Sequence, residues 1–189
     1  MFIVLIGPDG VGKTSLALEL NKVFKNVLYF HFIPTTNNLN NVYSFNKRLI
    51  AEKKRFDSFF SLLRIIYKIF QVNILYFFRI YPFKNRVTIG DRYIYGYYIQ
   101  PSSVKYFFSE QIAKIIVTKL IKQPDFVFCL NLLPEEIIKR KNELTINQIK
   151  NEYLKIEELN LKNLYYLDAT QSIEKLANIV KDKIENKNN

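Results

Sequence analysis

Residues 7–15 read Gly-Pro-Asp-Gly-Val-Gly-Lys-Thr-Ser, and Gly7, Gly12, Lys13 and Thr14 fill every fixed position of the pattern G-x-x-x-x-G-K-[ST]. Glycines at these places let a backbone turn tightly, so that N–H groups and the positive end of a following helix converge on phosphate oxygens. Lys13 then stands to bridge the β- and γ-phosphates of a triphosphate, and the Thr14 hydroxyl to ligate Mg²⁺. The expected nucleotide-binding residues are Gly7, Asp9, Gly10, Val11, Gly12, Lys13, Thr14 and Ser15, and the expected cofactors are ATP and Mg²⁺. Asp91 and Arg92 form a second polar group. Asp91 can join Thr14 in holding the metal, and Arg92 can pair with an anionic acceptor or the group in transit. A surface ion pair at a strand end would look the same in sequence.

Few other side chains carry chemistry. Cys129 is the single cysteine and sits in the apolar run 126–130, the setting of a small buried hydrophobe, so disulfides and thiolate metal sites are excluded. His31 is the single histidine and cannot build a zinc site, which leaves oxygen as the expected metal ligand. A net charge of +11, from 28 Lys and Arg against 17 Asp and Glu, suits phosphate-bearing ligands, nucleic acid or an anionic membrane surface without choosing among them. The basic residues are scattered and form no stripe interleaved with aromatics, so nucleic acid is not the favoured partner.

The elements that must position these groups follow from periodicity. Phe2–Ile6 is a continuous apolar run, as in a buried parallel strand, and Leu16, Leu20, Val23 and Phe24 repeat at helical spacing after the loop. Further strands are expected at residues 27–32, 86–89, 126–131 and 164–167. Asp91 and Arg92 then fall just after the third strand, at the carboxyl edge where doubly wound sheets bind ligands. Helical patterns separate the strands. Ile112, Ile115, Ile116 and Leu120 mark one helix, Pro134 with Glu135 and Glu136 starts another that runs to about 142, and Thr145 with Gln148 makes a capping box for a helix to about 159. Ile173, Leu176, Val180 and Ile184 mark the last helix, and the tail 186–189 reads as disordered. Residues 59–78 reach membrane-spanning length but include Arg64, Lys68, Gln71 and Asn73, and are read as a mostly buried helix. The sum is an α/β fold over residues 1–189: one P-loop domain with a doubly wound, mostly parallel five-stranded sheet. Met1 leads directly into the first strand without the pattern of a signal peptide, so a cytoplasmic protein is expected.

A family resemblance adds to this reading. FIVLIGPDGVGKTSL, the triplet Asp91-Arg92-Tyr93, PDFVFCLNLLPEEIIKRK and YLDATQSIEKLANIV resemble, in order and over nearly the whole chain, the corresponding blocks of the thymidylate kinase family. The resemblance implies a P-loop kinase of the nucleotide kinase type that moves the ATP γ-phosphoryl group to a nucleoside monophosphate. It implies an acceptor-sugar contact for Asp9, a metal-linked role for Asp91 and an acceptor-phosphate role for Arg92. Lys139, Arg140 and Lys141 fall in its lid, here about 139–150, with Arg140 as the lid arginine, and 168–171 matches the loop beside the adenine. The chain departs from the family pattern at HFIPTTNN, residues 31–38, and at IYGYYIQPSS, residues 94–103, both on the acceptor side. It is more similar to a divergent branch, often encoded among surface-polysaccharide functions, that shares the tyrosine-rich continuation and the segment from Arg140 to Glu143.

The expected partner is a small anionic acceptor, dTMP or another nucleoside monophosphate, with a homodimer possible. Two alternatives stay open: a sugar or glycan acceptor, and a nucleotide-binding regulatory protein with little turnover. His31 and Pro34 follow the second strand, where His31 could touch an acceptor phosphate or be hydrogen-bonded structure. Tyr93, Tyr95, Tyr97 and Tyr98 could stack on a base or simply pack.

Overall fold

The structure is a computed structural model that describes residues 1–24, 27–31, 58–83, 86–91, 93–101 and 109–188. Its strands are β1 (Phe2–Ile6), β2 (Val27–His31), β3 (Val87–Asp91), β4 (Phe126–Asn131) and β5 (Leu164–Asp168). All pair in parallel, in the order β2-β3-β1-β4-β5. Every residue of β1 is buried, as befits a central strand covered on both faces. Its register sets Leu5 beside Asp91 on one side and Phe128 on the other, so β3 ends one residue short of Ile6 and β4 runs two residues past it.

Alternation along β1 divides the interior into two cores. Ile3 and Leu5 face one side of the sheet with Ile89, Phe126 and Phe128. That core is closed by α1 (Lys13–Val23), α5 (Pro134–Arg140) and α7 (Ile173–Asn188) through Leu16, Leu20, Ile137, Leu176 and Val180. Phe2, Val4 and Ile6 face the other side. There α2 (Ser58–Leu75), α3 (Gly96–Ile99) and α4 (Glu110–Ile115) bring in Ile65, Val72, Tyr97, Tyr98 and Ala113, and α6 (Ile146–Glu158) brings in Ile156. The expected five-stranded parallel sheet with helices on both faces is therefore the observed one. Thr145 caps α6 as expected, its hydroxyl accepting from the Gln148 N–H while the Gln148 side chain accepts from the Thr145 N–H.

Several boundaries differ. β3 is shifted toward the edge, so Asp91 is the last strand residue and not a loop residue, because its backbone pairs in register with Leu5 and His31. The long apolar segment is not mostly buried: Ile65, Val72 and Ile80 face the core, while Phe70 and Phe78 are 66% and 74% exposed. A helix that is apolar all round has more such surface than one core contact can cover. Its last turns widen into a π-helix (Tyr76–Ile80) and a 3₁₀ turn (Tyr81–Phe83). The helix before β4 also ends in a π-helical stretch (Ile116–Leu120), where the Thr118 hydroxyl donates to the Lys114 carbonyl and competes with the backbone ladder. The tail is ordered further than expected, since α7 continues through Asn188 with no glycine or proline to stop it. Among the described residues no helix is long and apolar enough to cross a membrane.

Candidate functional site

The glycine loop joins β1 to α1 in a conformation that its residue types explain. Gly7, Gly10 and Gly12 all have positive φ, at 134°, 94° and 106°. A Cβ on Gly10 would stand 2.9 Å from the Lys141 Cβ, so this glycine also allows close approach of the segment after α5. Gly12 is the N-cap of α1 and supplies no side-chain cap, which leaves the positive helix end facing the loop. Val11 is buried and anchors the loop in the core, Thr14 is partly buried, and Ser15 is exposed.

Lys13 opens α1 and is only 5% exposed. Its Nζ donates to the carbonyls of Gly7 and Pro8, both at 2.8 Å, and lies 3.5 Å from the Asp9 carboxylate. Burial lowers its pKa, and the negative charges of Asp91 and then Glu152 oppose that shift. Asp91, 3% exposed, is held at the end of β3 and accepts a hydrogen bond from the Tyr29 hydroxyl at 2.9 Å. Burial first, and the Asp91 charge next, push the Tyr29 phenol well above its ordinary range. His31 pairs in register with Asp91 at the same sheet edge. Arg92 and Pro34 lie outside the described residues.

The basic corner after α5 comes close to the loop. Ile137 and Lys141 border Gly10, Lys141 forms an ion pair with Glu143 at 2.9 Å, and the Arg140 guanidinium donates to the Ala169 carbonyl at 3.4 Å. Ala169 belongs to the turn 168–171, where Thr170 donates to the Asp168 carboxylate through its hydroxyl at 2.7 Å and its N–H at 3.1 Å. Those bonds, hydroxyl first, hold Asp168 below the usual carboxylate range. The fold thus gathers the glycine loop, Asp91, Arg140 and the turn after β5 at one end of the sheet.

Two neighbours escaped the sequence reading. Tyr29 reaches Asp91 from the adjacent strand, and nothing local in the sequence pairs the two. Glu152, 6% exposed, accepts from Gln100 at 2.8 Å. Its signal was an acid on the buried stripe of α6, between Ile149 and Ile156. The tyrosines after the triplet are packed: Tyr93 and Tyr95 meet edge to face at 5.4 Å, and the Tyr93 hydroxyl donates to the Lys122 carbonyl. Cys129 is buried and free, and burial pushes its thiol up to about 12.

No protein-family model and no curated protein matches the chain. A solved structure does: the thymidylate kinase of Ehrlichia chaffeensis aligns over 98% of each chain with a TM-score of 0.55, at 19% sequence identity. The fold is thymidylate kinase-like. At that identity the likeness speaks to architecture, and within this kinase-like fold the glycine loop sits where a parallel sheet, a helix N-terminus and Asp91 converge. Among the described residues no group of three or more His, Cys, Asp or Glu could hold a metal. The oxygen donors that the loop and the end of β3 offer are the Thr14 hydroxyl and the Asp91 carboxylate, a chemistry that suits a hard cation such as Mg²⁺.

Proposed function

We propose that the chain is an ATP- and Mg²⁺-dependent phosphotransferase acting on a nucleoside monophosphate, with dTMP the first acceptor to test. The supporting observation is Lys13, an ammonium buried at the first turn of α1 and folded onto the carbonyls of a loop with three positive-φ glycines. A lysine this deeply buried is expensive for structure alone, whereas a polyphosphate would answer its charge and engage the loop N–H groups. When bound, ATP supplies the transferable group and Mg²⁺ screens its charge.

The chain's own residues then divide the work. The loop backbone and the α1 N-terminus bind phosphate oxygens, and Lys13 places positive charge where the transferred group develops negative charge. Asp91 and Thr14 offer oxygens to the metal, and Tyr29 fixes the orientation of Asp91. Asp9 is set to accept from an acceptor hydroxyl, Arg92 to orient the acceptor's anionic group, and Arg140 to close over the nucleotide from the corner after α5. Positioning and electrostatics carry such a transfer without a covalent enzyme intermediate.

A sugar or glycan acceptor is favoured by one observation. Tyr93, Tyr95, Tyr97 and Tyr98 are all in the core, and the hydroxyls of Tyr95 and Tyr98 donate to Gln123 and Glu158, so these rings are committed to packing and not to a base. Coupled ADP release, measured with dTMP, other nucleoside monophosphates and phosphosugars, tests both readings. Acceptor-dependent ADP release is expected in the wild type, with a loss of about 100-fold or more in Lys13→Ala. Release with saccharides alone selects the second acceptor class. ATP binding without turnover on any acceptor points to a regulatory protein, and no ATP binding ends the proposal.

A further inference from the structure

Three charged side chains are buried among the described residues, and the transfer outlined above uses only Lys13 and Asp91. Glu152, 6% exposed, has no role in it. Its place follows from the helix that bears it. α6 packs Ile149 into the core on one side of the sheet, with Val11 and Leu16, and Ile156 into the core on the other side, with Tyr93 and Tyr95. Glu152 shares a helix face with both, three residues from one and four from the other, so it stands over an end of the sheet. The next residue shows which end. The Tyr153 hydroxyl donates to the Leu130 carbonyl and accepts from the Leu132 N–H, both at 3.1 Å, at the carboxyl end of β4. Burial lowers the Lys13 pKa, and of the charges that oppose it Glu152 comes second to Asp91, in keeping with this position.

Packing alone gives the carboxylate little reason to be there. α6 is already fastened to α4 by Lys155 with Glu110 at 2.7 Å, and to α3 by the Tyr98 hydroxyl, which donates to Glu158. An apolar residue between Ile149 and Ile156 would avoid the cost of burying a charge. What Glu152 does is orient Gln100, the residue that ends α3, whose amide N–H donates to the carboxylate at 2.8 Å. An ionised carboxylate accepts and cannot donate, so the amide must turn its nitrogen toward Glu152 and its carbonyl oxygen away. Tyr97, Tyr98 and Ile99 are buried, whereas Gln100 is half-buried and open to a ligand. The fold thus sets a hydrogen-bond acceptor of fixed orientation beside the groups that handle phosphate.

We propose that Gln100 reads a hydroxyl on the acceptor's sugar, with Glu152 as the positioning residue behind it. An amide oxygen is repelled by phosphate and accepts from O–H, so it suits the neutral, hydroxylated part of the acceptor. The inference rests on the phosphotransferase reading and narrows its acceptor. Asp9 is already set to accept from one hydroxyl, so a second reader calls for a phosphorylated sugar with at least two free hydroxyls, as in a ribonucleotide or a phosphosugar. A deoxyribonucleotide such as dTMP offers one and ranks behind them.

Two matched pairs test it: UMP against dUMP, and glucose 6-phosphate against 2-deoxyglucose 6-phosphate, each followed by coupled ADP release and by calorimetric titration of the full chain. In the pair that the protein accepts, the hydroxylated member should have a kcat/KM about tenfold or more above that of its deoxy partner. Gln100→Leu should bring the ratio near one by raising KM for the hydroxylated member, with kcat, the deoxy member and the KM for ATP close to wild type. Glu152→Gln keeps the shape but lets the Gln100 amide turn over, and should lower the ratio partway. Equal use of both members by the wild type overturns the inference. So does a Gln100→Leu variant that loses the hydroxylated member, the deoxy member and ATP alike, the mark of a bridge that only holds α3 to α6. Absence of ADP release with every acceptor would defeat the phosphotransferase reading instead, and the titrations would still decide this one. Tighter binding of a hydroxylated member, lost in Gln100→Leu, supports it without turnover, and no difference in binding within either pair overturns it.

Discussion

Lys13 and Asp91 are the two buried charges whose behaviour decides whether this end of the sheet handles phosphate. The Lys13 pKa lies below 10.5 because burial disfavours its ammonium, and a bound polyphosphate would raise it again. Binding would then take up a proton, so nucleotide affinity should fall as pH rises through the lowered pKa, at pH values where an exposed lysine is still charged. Calorimetric titration in buffers of different ionisation enthalpy would reveal that proton, and a flat pH profile would contradict it. Tyr29→Phe removes the hydrogen bond to Asp91 and should destabilise the protein by about 1–3 kcal/mol near neutral pH, read as a shift in the urea midpoint. The phenol's pKa is raised above 10.0, so the folded state holds that proton more tightly than the unfolded chain. Its stabilisation is complete below pH 10 and is lost above it, and the gap between wild type and Tyr29→Phe should narrow in that direction. The glycine loop was legible because its chemistry is local, confined to nine consecutive residues. Tyr29 was not, because its partner is 62 residues away and only strand pairing brings them together.

Among the elements, α6 shows how much a local rule can carry. Thr145→Ala removes the hydroxyl half of its capping box and should cost about 1 kcal/mol in thermal or denaturant unfolding, with Thr145→Ser recovering most of it. Because α6 also brings in Glu152 and, through Tyr153, the hydroxyl that donates to the Leu130 carbonyl, fraying at this cap should also loosen the corner beside Gly10. The five strands and the caps were readable from apolar runs and turn residues, since each signal lies within its own segment. Strand ends were less so: whether Asp91 belongs to β3 depends on backbone pairing with Leu5 and His31, which leaves no trace in residue type. Helical periodicity over 59–78 was also readable, but which of its apolar faces meets the core was not, because Ile65 and Phe70 look alike in sequence and differ only in what lies opposite.

At the scale of the whole molecule, the first helix is closed by the last. Leu16, Ala17 and Leu20 of α1 share a core with Leu176, Ala177 and Val180 of α7, and β1 lies between β3 and β4. Leu20→Ala should therefore cost about 2–5 kcal/mol, seen in denaturant unfolding, and should weaken nucleotide binding along with stability. There is also a consequence for how the protein is made. The nine residues of the glycine loop are made before the elements that enclose them: the strands that flank β1 begin at Val87 and Phe126, and the helix that seals α1 begins at Ile173. Long-range parallel pairing of this kind is slow and leaves apolar segments waiting for partners. A nascent chain arrested before residue 173 should therefore resist neither protease nor heat, and the anion-binding loop, synthesised well ahead of its partners, would be among the last parts of the molecule to take its working shape.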